Sequence, residues 1–188
     1  LQLLTRQIID SGEVISSSME ILVELDFIHA RARLAKVMQA RLCPVGQGCK
    51  LQLNKAFNPE LILNGKDVIP NDIAWDQSTN VIIISGPNTG GKTVTLKTVG
   101  LMALMVRAGL FLPVDEGSQI PFYPEVYADI GDEQSIELSL STFSAHIKKI
   151  VHIMSHATSG SLILLDELGI ATDPQEGASL AEAMLTEL

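Results

Sequence analysis

Positive charge, cysteine and long apolar runs are all scarce in this chain, and each scarcity removes a class of function. Thirteen Lys and Arg stand against 22 Asp and Glu, a formal net charge of −9. Broad grip on a nucleic-acid backbone needs clustered basic side chains, and Lys148-Lys149 is the only adjacent basic pair. If the parent protein holds DNA or RNA, those contacts are expected outside this chain. The longest apolar run, Val99 to Val106, is broken by Gly100 and followed by Arg107, short of the ~20 residues that cross a bilayer. The opening LQLLTRQIID has neither the basic region nor the cleavage site of a signal peptide. No membrane partner and a cytoplasmic location are therefore expected. The two cysteines, Cys43 and Cys49, fit no zinc or thioredoxin-type spacing and read as reduced side chains in a connecting loop.

What is present suffices for one substantial domain, alone or with an appendage: 188 residues, 46% hydrophobic. Leu1 and Leu188 both fall inside helical-looking patterns, so an excised fragment is expected. Residues 1–42 read as helix, with Ile21, Leu25, Ile28, Ala32 and Ala35 on one face; the run Ser16-Ser17-Ser18 leaves open whether one helix or two are present. His29 reads as a surface or packing residue. From residue 43 the composition shifts to short apolar pieces, such as Leu61-Ile62-Leu63, punctuated by Pro and Gly, which suggests short strands and turns. From Val81 strand and helix alternate. Val81–Ile84 and Leu162–Leu165 read as buried strands. Further strands are expected near Leu110–Val114 and Val126–Ile130, and helices over Leu96–Val106, Ser141–Ala157 and from Pro174. That alternation implies an α/β fold with a largely parallel sheet.

The stretch GPNTGGKT fits G-x-x-x-x-G-K-[ST] at Gly86, Gly91, Lys92 and Thr93. Glycine lets backbone amides turn inward around phosphate oxygens, and the following helix points its positive end at the anion. Pro87, Asn88, Thr89, Gly90 and Val94 complete the cradle, Lys92 supplies charge for the outer phosphates, and the Thr93 hydroxyl is placed for Mg²⁺. A chance match is roughly 0.004% per position, so the phosphate reading prevails over a glycine-rich turn. Leu162–Leu165 ends in Asp166-Glu167. An acid closing a buried strand orders a Mg²⁺ shell, and its neighbour Glu167 can polarise an attacking water. Ser141-Thr142 opens a helix, either as an N-cap or as a hydroxyl offered to a phosphate. Asp173-Pro174-Gln175-Glu176 has the form of a capping box.

Taken together, GPNTGGKTVTLKTVGL, DIGDEQSIELSLSTFSAH and LLDELGIATDPQEGASLA resemble the ATPase domain of the MutS family, and GDEQSIE and TDPQEG resemble its type-two bacterial branch. The likeness is strong over residues 60–188, and Ile21–Ala35 is similar to the helical core ahead of that domain. It implies residues 1–42 as a core-domain helical segment and 43–188 as a P-loop ATPase of the ABC class, truncated at its C-terminal end. Two such domains would form a homodimer enclosing two ATP molecules with Mg²⁺. Glu167, Asp166 and Lys92 would carry catalysis, Thr93 and Asp166 would hold the metal, and Ser141 would meet the partner's γ-phosphate. Gly169 to Asp173 would cross the interface, and Asp132 to Gln134 would link nucleotide state to the rest of the protein. Type-two members are associated with suppressing homologous recombination on DNA and with rescuing collided ribosomes, and many carry a nuclease-like domain, which is not expected within this chain.

The chain departs from the family pattern in places. Ala171 replaces a flexible glycine, Phe57-Asn58-Pro59 stands where Arg-His-Pro is usual, and the switch histidine is not supplied by His146, His152 or His156. His152 and His156 share a helix face, but a metal site there lacks a third ligand. A nucleotide-gated binding module without turnover is the alternative function. A chromosome-maintenance or transport ATPase ranks lower, because SLSTFS at Ser139–Ser144 replaces LSGGQ.

Overall fold

Two helices open the chain, α1 (Gln2–Asp10) and α2 (Gly12–Val37), in a computed structural model that describes residues 2–46, 48–76, 78–87, 91–131, 139–166, 179, 181–184 and 186, with the backbone alone for 4, 7 and 139–146. The serine run does not interrupt α2. The Ser18 hydroxyl donates to the Val14 carbonyl at 2.7 Å, so the side chain is satisfied one turn back on its own helix. The break falls at Ser11 instead. The stripe Ile21, Leu25, Ile28 is 51–56% exposed, and α2 buries no residue. No described helix is long and apolar enough to cross a membrane.

Beyond Met38, which is buried, Arg41 and Leu112 exchange two backbone hydrogen bonds of 2.7 and 3.1 Å. Strand β1 (Leu51–Ala56) alternates as a half-buried strand does, with Leu51 and Leu53 fully buried. It pairs antiparallel with β2 (Asn71–Trp75). Between them the expected strand at Leu61–Leu63 is instead a helix, α3 (Pro59–Leu63). The Asn58 side chain accepts a hydrogen bond from the Leu61 amide at 3.0 Å, and Pro59 begins the helix. An Asn-Pro entry of this kind overrides a short apolar run.

Helix α4 (Lys92–Arg107) follows the expected spacing, burying Val99 and Ala103 with Met102 and Met105, and stops before Gly109 at φ 67°. Leu110–Val114 is not a strand; it makes one bridge, Leu112 to Arg41, and Pro113 has no amide to extend a ladder. Strands β3 (Val126–Asp129) and β4 (Leu162–Leu165) are parallel, in register from Val126–Leu162 to Asp129–Leu165. The crossover between them is α5 (Ser139–His156). Gly100 permits the close approach of α4 to β4, since a Cβ there would stand 2.6 Å from Leu164 Cδ1. One core runs from Leu51 and Leu53 through Val99 and Met102 to Leu162 and Leu164, so both strand pairs share α4.

Two expectations need correction. Among the described residues the architecture is mixed α/β with one antiparallel and one parallel pair, in place of a largely parallel sheet. Val81–Ile84 forms no strand and is not buried; its side chains are 38–74% exposed. A strand exists through the neighbours that bond it. Among the described residues Val81–Ile84 joins neither strand pair, and branched side chains alone do not make a strand.

Candidate functional site

Within GPNTGGKT, Lys92 and Thr93 open α4. Gly86 has φ 150° and Gly91, the N-cap, has φ 77°, conformations that side chains with a Cβ rarely adopt. A Cβ on either would meet nothing within 4 Å. Glycine is thus required by the turn of the backbone and not by crowding. Within α4 the Thr95 amide and hydroxyl both reach the Gly91 carbonyl, at 2.9 and 3.0 Å. The first amides of a helix have no partner within it. Lys92 folds back so that Nζ donates to the Gly86 carbonyl at 2.6 Å, which brings the two ends of the loop together around its ammonium.

The Thr93 hydroxyl donates to Asp166 Oδ2 at 2.7 Å. Asp166 follows the last residue of β4, and its amide donates to the Asp129 carbonyl at 2.9 Å. The strands are parallel, so the acids that close them, Asp129 and Asp166, come at the same end, and Asp166 meets the first turn of α4 there. A hydroxyl beside a carboxylate is a hard oxygen donor set, and such sets suit Mg²⁺. The Lys92 ammonium and the N-terminus of α4 beside it suit the phosphates that Mg²⁺ accompanies.

Of the residues singled out in the sequence, Gly86, Gly91, Lys92, Thr93 and Asp166 converge here, with Pro87 and Val94 beside them in the chain. Asn88, Thr89, Gly90, Glu167, Asp132–Gln134 and Gly169–Glu176 lie outside the described residues. Ser141 is the third residue of α5, which begins at Ser139. It therefore lies inside the first turn and is not the N-cap.

Four residues around this site, Asp129, Lys149, Asn58 and Thr98, had no role at it assigned from the sequence. Asp129 is buried, and its carboxylate meets Lys149 Nζ of α5 at 3.2 Å. The signal was the same as for Asp166, an acid ending an apolar strand. Asn58, also buried, donates through Nδ2 to Thr98 Oγ1 at 2.9 Å, while Thr98 donates to the Val94 carbonyl at 2.7 Å. The departure Phe57-Asn58-Pro59 thus anchors the phosphate-loop helix from behind.

The remaining candidates stand apart. The His152 and His156 rings stack at 4.1 Å, and His156 Nδ1 lies 2.8 Å from the His152 carbonyl. No group of three or more His, Cys, Asp or Glu that could hold a metal occurs among the described residues. Cys43 and Cys49 are free. Burial, aided by the nearby Cys49, pushes the Cys43 thiol up to about 11, which keeps it protonated and unreactive near neutral pH.

Residues 82–188 match the family description MutS domain V. The chain is 51% identical over 174 residues to the Endonuclease MutS2 of Lactobacillus johnsonii, covering 93% of this chain and 22% of that protein. It is 48% identical over all 188 residues to the Endonuclease MutS2 of Bacillus velezensis, covering 24% of it, and 47% identical over the same span to the Putative endonuclease MutS2 of Bacillus subtilis, again 24%. The chain therefore spans about a quarter of the length of these curated relatives. With a family match over more than half its length and relatives of this identity on top of the site geometry, the chain belongs to the MutS family, as a MutS2-type member that carries domain V.

Proposed function

We propose that this chain is the ATP-binding and ATP-hydrolysing part of a MutS-type clamp, a P-loop ATPase of the ABC class that works as a homodimer on nucleic acid. The observation that carries the reading is the 2.7 Å contact between Thr93 and Asp166, which unites the two halves of a nucleoside-triphosphate site. In this reading the amides of residues 86–94 cradle the phosphates, and Lys92 moves its ammonium from the Gly86 carbonyl onto the outer phosphate oxygens. Thr93 and Asp166 hold Mg²⁺, which when bound neutralises charge on the β- and γ-phosphates. Glu167 orients and polarises the attacking water, and Ser141 of each subunit meets the γ-phosphate held by the other. The likeness to the type-two branch supports two roles for the whole protein, suppression of homologous recombination and rescue of collided ribosomes. Endonuclease is the name its relatives carry; we assign ATP turnover, and not strand cleavage, to these residues.

The exposed run Val81–Ile84 favours a second reading for the 188 residues by themselves. A phosphate loop whose leading segment is paired into no sheet is held less rigidly, so this chain alone would bind nucleotide and turn it over slowly. Steady-state ATP turnover of the full-length protein, beside its Glu167→Gln variant, tests the main reading. Turnover in the first, with loss of turnover and persistent ATP-bound dimers in the second, supports it. Absence of turnover in the full-length protein refutes it.

A further inference from the structure

Asp129 is the only acidic residue that is buried among the described ones, at 5% exposure. It ends β3 beside Asp166, whose amide donates to the Asp129 backbone carbonyl. A carboxylate removed from water is costly unless a cation or several donors face it, and here Lys149 on α5 supplies the cation at 3.2 Å. Lys149 itself is 57% exposed, so the contact is a modest source of stability. Its consequence is geometric. α5 is the crossover between β3 and β4, and Lys149 lies eight residues after Ser141, about 12 Å along the helix. The ion pair therefore fixes the middle of α5 against the end of the sheet that carries Asp166, and leaves the helix start projecting two turns further on.

We propose that Asp129 and Lys149 are a positioning pair that aims the Ser141 end of α5 at the triphosphate held by the second subunit, an inference that rests on the ATPase reading above. Neither side chain touches nucleotide. Because the pair aligns a group that acts on the opposite subunit, its loss harms the partner's site and spares its own.

That asymmetry is testable in the full-length protein with mixed dimers, using Lys92→Ala to silence one nucleotide site. With Lys149→Met on one subunit and Lys92→Ala on the other, the surviving site is served by an intact α5 and turnover persists. With both changes on one subunit and none on the other, the surviving site is served by the misaimed helix. Turnover should then fall about ten- to a hundredfold, the scale of a small misplacement at a reacting centre. Lys149→Arg should restore most of it, and dimers that carry the Lys149 changes without Lys92→Ala should bind Mg²⁺-ADP as wild type does. Equal turnover in the two arrangements overturns the inference, as does a parallel loss of ADP affinity and thermal stability in Lys149→Met, which marks a merely structural contact. A wild-type protein with no turnover overturns the ATPase reading beneath, and the inference with it.

Discussion

The hydroxyl of Thr93 and the Oδ2 of Asp166 lie 2.7 Å apart although 73 residues separate them in the chain. One is on the first turn of α4 and the other just beyond β4. The contact follows from packing, because α4 lies on β4 through the gap that Gly100 leaves for Leu164. Helix N-terminus and strand C-terminus are thereby brought to one point.

Removing the hydroxyl should disable the site more than it weakens the fold. Thr93→Val should lower ATP turnover of the full-length protein about a hundredfold or more, as loss of a preorganised polar group at a reacting centre does. Its cost in stability should be about 1 kcal/mol, one hydrogen bond. Thr93→Ser keeps the hydroxyl and should retain most of the turnover. Steady-state kinetics together with urea unfolding separate the two effects.

The packing that brings the segments together has its own test. Gly100→Ala places a Cβ 2.6 Å from Leu164 Cδ1. Overpacking costs about 1–3 kcal/mol, and the helix propensity of Ala offsets about 1 kcal/mol of that. The expected net loss is up to about 2 kcal/mol, and Gly100→Val should lose more. Urea unfolding followed by the single tryptophan, Trp75, which packs against the core, reads both.

Asn58 performs two tasks that substitutions can divide. Asn58→Ala loses the cap of α3 and the donor to Thr98, with an expected cost of about 2 kcal/mol. Asn58→Asp keeps an acceptor for the Leu61 amide but buries a carboxylate against the Thr98 oxygen, so it should not recover that loss. Thermal midpoints of the two variants check this; full stability in Asn58→Asp contradicts the assignment.

The turns at Gly86 and Gly91, the place of Asp166 after β4 and the extents of α4 and α5 were legible in the sequence because each rests on a local cause: glycine where the backbone turns, 3.6-residue spacing, and an acid after an apolar run. The strand expected at Val81–Ile84 was a different matter. β-branched composition states a preference, but pairing is decided by which neighbours are within reach, and no window of sequence contains them. Leu61–Leu63 failed for the opposite reason. Its local signal, Asn58-Pro59, lies in the sequence itself, and a capped, proline-led helix start prevails there over an apolar triplet. Asp129 and Lys149 went unmarked because their partnership depends on the register of β3 with β4 and on the face that α5 turns to them.

Alkaline pH should weaken the fold through Cys43. Burial raises its thiol from an ordinary 9.0 to about 11, so above pH 9 the unfolded chain loses the proton before the folded one. The stabilisation is complete below pH 9, declines as pH rises and is gone above about 11. Burial also raises the Tyr123 phenol, which adds loss of the same sign. Comparing urea midpoints of wild type and Cys43→Ala between pH 8 and 11 isolates the thiol: the gap between their slopes is its share. Identical slopes contradict the assignment.

The measurement that bears most directly on the site is the Mg²⁺ increment in ATP affinity, taken as the ratio of dissociation constants with EDTA and with Mg²⁺ in calorimetry of the full-length protein and its Asp166→Asn variant. If Thr93 and Asp166 hold the cation against the triphosphate, wild type should bind Mg²⁺-ATP at least about tenfold more tightly than metal-free ATP, a difference of about 1.4 kcal/mol. The variant should show little or no such increment. An increment of equal size in both proteins would contradict the account.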